Sequence, residues 1–133
     1  MIELINKISE VKEDVVFVGS VSFWNLKLIT TPHDIDIVVK DLDGLEVFGK
    51  IDTWESKSPM SISGKRACIK REDYTIDIFI EDVFPEFTIE NGIKFETLEA
   101  WKKYMDIVID SSEGEFKDRM IKKKTDQTKS LQD

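Results

Sequence analysis

Asp34-Ile-Asp-Ile-Val-Val39 is the most informative stretch of the chain. Acidic and aliphatic residues alternate and then give way to valine, which is typical of a β-strand with one polar face. Because residues two apart on a strand share a face, Asp34 and Asp36 project together, opposite the two Ile side chains. Two adjacent carboxylates repel each other unless a proton or cation lies between them, and their oxygens suit hard ions such as magnesium. The stretch therefore predicts a strand that presents a metal site.

The residues before this strand predict a helix, a strand and a second helix. Apolar residues recur every three or four positions over 2–13, as in an amphipathic helix. Val15–Val18 is a β-branched and aromatic run that predicts a buried strand, ended by a turn at Gly19-Ser20. The apolar run 21–29 predicts a helix, which Pro32 breaks. The Gly-Ser turn would thus connect a strand to a helix.

A second acidic strand follows later in the chain. In the alternating run 74–80, Asp77 shares one face with Thr75 and Phe79. Pairing of this strand with 34–39 would bring Asp77 beside the first two acids. The remaining predicted elements are a loop with a weak helix over 41–52, hairpin strands over 53–58 and 61–70, a hairpin of 87–90 and 93–96 around Asn91-Gly92, a helix over 97–109 and a last helix over 113–131.

Length and composition indicate one compact domain. A chain of 133 residues can bury a single modest core, and a hydrophobic share of 41% with eight Phe and three Trp is typical of a folded interior. We expect one α/β (α+β) domain over 1–133, with a catalytic core at about 15–80 and a helical C-terminal part at about 97–131. The expected architecture is a mixed, twisted sheet with the acids on one face and helices packed mainly on the other.

Charge and cysteine content narrow the function classes. A net charge of -8 repels a polyanion, which disfavours a broad DNA-binding surface. Cys68 is the single cysteine, so an intramolecular disulfide and a thiolate metal cluster are excluded. No stretch approaches the roughly 20 apolar residues of a membrane span, and the N-terminal residues lack the apolar core of a signal peptide. We therefore expect a cytoplasmic protein without membrane contact.

The acidic strands and the Gly-Ser turn together indicate phosphate chemistry. Three converging carboxylates can hold two divalent ions, one on the phosphates of a nucleoside triphosphate and one that lowers the pKa of an attacking hydroxyl. Gly19 lets the backbone approach a ligand, and Ser20 adds a hydroxyl donor at the start of a helix. This turn therefore has two interpretations: a phosphate contact, or a plain connection between strand and helix.

These motifs resemble the nucleotidyltransferase superfamily that includes DNA polymerase beta and the minimal nucleotidyltransferases. The family pattern is a hydrophobic residue, Gly, then Gly or Ser, a short helix, and Asp-hydrophobic-Asp-hydrophobic. Val18-Gly-Ser20 and Asp34-Ile-Asp-Ile37 match it, and Ile76-Asp-Ile78 matches the third carboxylate strand. The resemblance covers 15–80 well and 81–133 loosely.

The resemblance implies a magnesium-dependent enzyme that transfers a nucleoside monophosphate from a triphosphate such as ATP to a hydroxyl and releases pyrophosphate. Asp34 and Asp36 would be ligands of both Mg²⁺ ions, which Mn²⁺ could replace, and Asp77 would be a ligand and the base. The acceptor stays open between a protein, an RNA end and a small molecule. A partner protein or a second copy of the chain could complete the site.

Several positively charged residues have two interpretations. Lys65, Arg66 and Lys70 precede the Asp77 strand and could contact the nucleotide or the acceptor, although a solvated hairpin explains them equally well. The run 122–124 is interpreted as a solvated helix face, and His33 as a loop residue outside the catalytic set.

Two other function classes compete with this interpretation. Haloacid-dehalogenase phosphatases also use Asp-x-Asp after a strand, with the first Asp as nucleophile and the second as acid. In those proteins the motif lies on the first strand, whereas here a strand and Gly19-Ser20 precede Asp34. The other alternative is a nucleotidyltransferase core that has become a non-catalytic binding or regulatory module, such as one half of a toxin–antitoxin pair.

Overall fold

The structure, a computed structural model, describes residues 1–27, residue 32 and residues 34–132. It confirms the predicted α/β class, because a mixed seven-stranded sheet is combined with four α-helices in this part of the chain. The elements are α1 (Ile2–Val11), β1 (Val15–Val18), α2 (Ser20–Asn25), β2 (Asp34–Val39), a 3-10 turn (Leu45–Phe48), β3 (Ile51–Glu55), β4 (Lys65–Lys70), β5 (Thr75–Ile80), β6 (Phe87–Glu90), β7 (Ile93–Glu96), α3 (Leu98–Asp110) and α4 (Gly114–Gln132).

The sheet has the strand order β3-β4-β5-β2-β1-β7-β6, so β2 is its middle strand. β2 runs parallel to β5, and Asp36 lies directly opposite Asp77. β1 runs antiparallel to β2, with Val18 opposite Asp36. Because β1 ends at Val18, the turn that follows it begins next to Asp36.

The main core covers one face of the sheet, here called the core face. Alternate strand residues such as Phe17, Ile37 and Ile78 are fully buried there. Ile5 and Ile8 of α1 pack onto this face, as their spacing of three predicts. Burial of each such side chain contributes about 1.5–3 kcal/mol to folding. The Ile side chains of β2 and β5 are thereby fixed in the core, so the Asp side chains that alternate with them point to the opposite face.

The opposite face, called the acid face, carries smaller apolar clusters. Val16 and Val38 pack there with Phe79. A third cluster joins α2 to α3, with the rings of Phe23 and Trp101 edge to face at 4.8 Å. The side chains of α3 thus lie beside the acid face, whereas α1 covers the core face. Within the described ranges, every helix is too short or too polar to cross a lipid bilayer.

α1 ends at Val11, two residues before the predicted end at 13. Lys12 has an extended backbone, with φ -130° and ψ 100°, and is nearly buried. Its ammonium donates to the Asp41 carboxylate at 2.6 Å and to the Asp43 carbonyl at 2.9 Å. These long-range contacts turn the chain out of the helix, and local periodicity could not predict them.

The predicted hairpin strands over 53–58 and 61–70 are shorter than expected, and the first begins two residues early, at Ile51, inside the stretch 41–52 that was predicted as a loop with a weak helix. β3 ends at Glu55 and β4 begins at Lys65, because serine side chains take over the backbone hydrogen bonds between them. The Ser61 hydroxyl, for example, accepts from the Gly64 N–H at 3.1 Å. The strand 74–80, the later hairpin and the last two helices are confirmed to within one residue at each end.

The second helix is also shorter than predicted. α2 ends at Asn25, and Lys27 has a left-handed backbone, with φ 62°, as is common just after a helix. The rest of the predicted helix at 28–29, the predicted break at 30–33 apart from Pro32, and the interpretation of His33 lie outside the described residues.

Candidate active site

The three predicted carboxylates lie on the acid face of two neighbouring strands. Asp36 and Asp77, here called the acid pair, are opposite each other on parallel β2 and β5. Neighbouring strands are about 4.8 Å apart, which brings the two side chains into contact range. Asp34 lies two residues earlier on the same face, at the exposed start of β2 and opposite Thr75. The structure therefore brings Asp36 and Asp77 together and places Asp34 at the solvent side of them.

Burial raises the pKa of both members of the acid pair, and a nearby carboxylate raises each of them further. The pKa of Asp36 rises to about 7, first through burial and then through the charge of Asp77, while Lys123 opposes the rise. The pKa of Asp77 is raised by burial and by Asp34, against the opposing effects of Arg66 and of a hydrogen bond with Asp36. Both carboxyl groups therefore hold a proton more readily than an ordinary aspartate does, and a bound cation would oppose this shift.

Gly19 lies against the acid pair in a backbone conformation that favours glycine. Its φ is +64°, and a Cβ at this position would lie 2.8 Å from Asp36 Oδ2. The Ser22 hydroxyl donates to the Gly19 carbonyl at 2.6 Å, and Ser20 begins α2. A side chain at 19 would push away the turn or the carboxylate, so this glycine allows the close approach of the two.

Glu96 is a fourth acid at the site that the sequence analysis missed. It lies at the end of β7, only 6% exposed, and its Oε1 accepts from the Gly19 N–H at 3.2 Å. Burial raises the pKa of Glu96 to about 7, the Gly19 N–H lowers it and the charge of Asp36 raises it further. Alternation with Ile93 and Phe95 puts Glu96 on the acid face, but its position next to the turn depends on the pairing of β7 with β1.

The donor chemistry of the acid pair fits a hard divalent cation. None of the described Lys or Arg side chains forms an ion pair with Asp36 or Asp77, and paired carboxylate oxygens are ligands that Mg²⁺ prefers. Across the described residues, however, no three His, Cys, Asp or Glu side chains are placed together so as to hold a metal ion. Asp34 would complete a three-carboxylate set only by turning towards the pair. The predicted two-ion site thus stays a prediction.

Arg66 is the best-placed cation among the predicted contacts. It lies on β4 opposite Phe79, and its guanidinium is 3.8 Å from the centroid of that ring. The ring of Trp54 lies on β3 at 5.6 Å, and the Arg66 Nε donates to the Ile78 carbonyl at 3.2 Å. These contacts hold the guanidinium over the acid face, where its charge lowers the pKa of both Asp36 and Asp77.

The other basic residues divide between the two faces. Lys70 shares the face of Arg66 and lies opposite Thr75, one strand away from Asp34. Lys65 alternates with Arg66, which places it on the side opposite the acids. By contrast, Lys123 of α4 faces the site and lowers the pKa of Asp36. Lys122 and Lys123 are nevertheless exposed, as the interpretation of 122–124 as a solvated helix face predicts.

A strand, a Gly-Ser turn, a short helix and the acid pair occur in the order that the sequence pattern predicts. Comparisons with protein-family models, with curated proteins and with solved structures found no match to this chain. The chemistry of the site is therefore argued from its own residues. The carboxylates of Asp36 and Asp77 can bind a cation, and the turn at Gly19 lies close to Asp36. Arg66 and Lys123 supply positive charges that could contact an anionic ligand.

A cavity of about 520 Å³ opens beside Asp36 on the acid face and is here called the α3 cavity. Its walls come from the sheet, from α3 and from the loops 60–63 and 81–86. The Tyr104 hydroxyl donates to the Met60 carbonyl, which joins α3 to the first of these loops, and burial raises the pKa of Tyr104. The sequence analysis missed this cavity, because it depends on how α3 packs over residues far away in the chain.

Proposed function

We propose that this protein is a magnesium-dependent nucleotidyltransferase that transfers a nucleoside monophosphate from a triphosphate to a hydroxyl and releases pyrophosphate. One observation carries the proposal: Asp36 and Asp77 face each other in register while Gly19 packs against the Asp36 carboxylate. Two adjacent carboxylates, each half-buried, cost folding free energy, and a glycine turn against Asp36 allows a phosphate-bearing ligand to come close. A purely structural role explains neither feature.

Each residue has a role in this proposal. Asp34, Asp36 and Asp77 would hold the metal ions, which neutralise charge on the triphosphate and make an attacking hydroxyl more acidic. The Ser20 hydroxyl donates to a phosphate oxygen, and Arg66 supplies a fixed positive charge on the same face. Asp77, which lies opposite Asp36 on β5, would accept the proton of the acceptor hydroxyl.

The test is transfer from labelled triphosphates with Mg²⁺. ATP, GTP, CTP and UTP are each incubated with the protein, and pyrophosphate release and label transfer to protein, to RNA ends or to added alcohols are measured. We expect Asp36→Asn and Asp77→Asn each to lower the rate by at least about 100-fold, since each removes a ligand. Asp52→Asn is the matched control, because Asp52 is an exposed strand carboxylate opposite Cys68 on the acid face. It should keep nearly the full rate.

A non-catalytic binding module is the second candidate, favoured by the lack of an assembled three-ligand set among the described residues. Triphosphate binding that needs Mg²⁺ and Asp36, without any pyrophosphate release, would support this module over the enzyme. Hydrolysis of p-nitrophenyl phosphate without triphosphate binding would instead support the phosphatase alternative. Absence of both triphosphate binding and hydrolysis would overturn all three functions.

A further inference from the structure

We propose that the α3 cavity binds the acceptor and that the acceptor is a compact, largely apolar alcohol that is neutral or cationic. This inference rests on the proposed transferase function and names its second substrate. Asp36 and Gly19 line this cavity, so a hydroxyl bound beside them would lie next to the acid pair. The acceptor thereby reaches the reacting centre without crossing the rest of the acid face.

The walls of the α3 cavity are suited to an apolar body. Val38 and Phe79 of the sheet line one side, and Trp101 and Met105 of α3 line another. Trp101 and Met105 are almost fully buried in the α2–α3 cluster, so the wall is held in place by packing. A volume of about 520 Å³ lies within the usual range of small-molecule pockets, roughly 300–1,000 Å³.

The charges along the cavity exclude an anionic occupant. Carboxylates outnumber ammonium groups along its lining, which repels phosphate and favours a neutral or cationic molecule. The carboxylates belong to Asp36, Glu81, Asp82, Glu86 and Glu96, and the ammonium groups to Lys103 and Lys123.

The residues assigned to the triphosphate lie largely outside the cavity. Asp34, Asp77 and Arg66 are on the acid face but do not line it, whereas Asp36 and Gly19 border both regions. The two substrates would therefore meet at Asp36, with the polyanion over the open acid face and the alcohol in the cavity.

A nucleobase fits this cavity less well than an alcohol does. A base presents hydrogen-bond donors and acceptors along one edge, and among the charged side chains of the lining only Lys103 and Lys123 are always donors. The Tyr104 hydroxyl already donates to the Met60 carbonyl. An apolar alcohol needs few partners beyond the one at its hydroxyl.

The first experiment uses three probes of one shape and different charge: 4-phenylbutan-1-ol, 4-phenylbutylamine and 4-phenylbutanoate. Binding to the full chain is measured by ligand-observed NMR titration, with and without Mg²⁺-ATP. We expect the alcohol and the amine to bind at least about tenfold more tightly than the carboxylate, with Mg²⁺-ATP leaving the Kd of the alcohol within about twofold. Equal or tighter binding of the carboxylate would overturn the inference.

Substitutions in the lining of the α3 cavity test whether the probes bind there. Ala100 lies in the wall on α3 and is 8% exposed, so Ala100→Leu fills the cavity while keeping a good helix former. We expect the Kd of the alcohol to rise at least about fivefold and that of Mg²⁺-ATP to stay within about twofold. Should this variant fold poorly, Ile62→Asp tests the same point, because Ile62 lines the mouth and is 68% exposed. Val47→Asp is the control, since Val47 is 66% exposed and lies away from the cavity.

The outcomes separate this inference from the proposed function. Failure of all probes to bind, together with triphosphate binding and pyrophosphate release, would overturn the cavity assignment and leave the transferase intact. Competition between Mg²⁺-ATP and the alcohol, with Ala100→Leu weakening both, would assign the cavity to the nucleobase instead. Probe binding without any triphosphate binding would overturn the transferase, and with it the identity of the occupant as an acceptor.

Discussion

At the scale of single residues, Gly19 connects backbone conformation to the chemistry of the site. Gly19→Ala places a methyl carbon 2.8 Å from Asp36 Oδ2, which is too close, and adds the cost of a positive φ. We expect a loss of roughly 2–4 kcal/mol in the free energy of unfolding, measured with urea. Mg²⁺-dependent binding of ATP, measured by calorimetry, should weaken as well.

Gly92→Ala is the matched control for this prediction. Gly92 also has a positive φ, of +79°, but a Cβ there meets nothing within 4 Å. The control should lose only about 1 kcal/mol and keep its ATP affinity. Equal effects of the two substitutions would show that the contact between Gly19 and Asp36 is unimportant.

Asp36 should make the protein less stable as the pH rises. Its pKa in the folded protein is about 7, against 3.8 for the ordinary side chain. A raised carboxyl pKa gives stability that is full below about pH 4 and is lost as the pH rises to 7. Glu96 shifts in the same direction, whereas the lowered pKa values of Asp41 and Asp73 act below this window.

Asp36→Asn removes the contribution of Asp36 to this pH dependence and leaves that of Glu96. We expect the variant to be more stable than the wild type by about 1–3 kcal/mol at pH 8 and nearly equal to it at pH 4, from urea unfolding at both pH values. Mg²⁺ should stabilise the wild type at pH 8 and leave the variant unchanged. A constant difference between variant and wild type across this range would contradict the assignment of the shift to Asp36.

At the scale of elements, α4 contributes one specific side chain to the site. The Lys124 ammonium pairs with Asp106 of α3, and this contact holds α4 against α3 with Lys123 towards Asp36. We expect Lys123→Ala to weaken Mg²⁺-ATP binding by about three- to tenfold, because a positive charge near the phosphates is lost. Lys122→Ala is the control from the preceding position and should stay within about twofold.

The elements also show what local sequence patterns can predict. The alternation in 34–39 and 74–80 gave both acidic strands and their faces, because it depends only on neighbouring residues. The end of α1 was wrong by two residues because Lys12 bonds to residues about thirty positions later.

At the scale of the whole molecule, the missed parts of the site all depend on long-range packing. Glu96 reaches Gly19 across 77 positions of the chain. Tyr104 reaches Met60 across 44 positions, and the α3 cavity forms between them. The sequence contains the residues that make such contacts, but no local pattern indicates which of them will meet in the fold. The acid pair could be predicted because a recurring hydrophobic-Asp-hydrophobic pattern marks both of its strands.

The central position of β2 in the sheet determines how the site behaves when the protein unfolds. Three strands flank β2 on each side, so its backbone amides lie furthest from the fraying edges β3 and β6. Local opening begins at such edges and at chain ends, while central strands exchange their amide protons only through nearly complete unfolding. The carboxylates on β2 and β5 therefore keep their relative positions when the edges of the sheet open locally, and they lose them only when the protein unfolds globally.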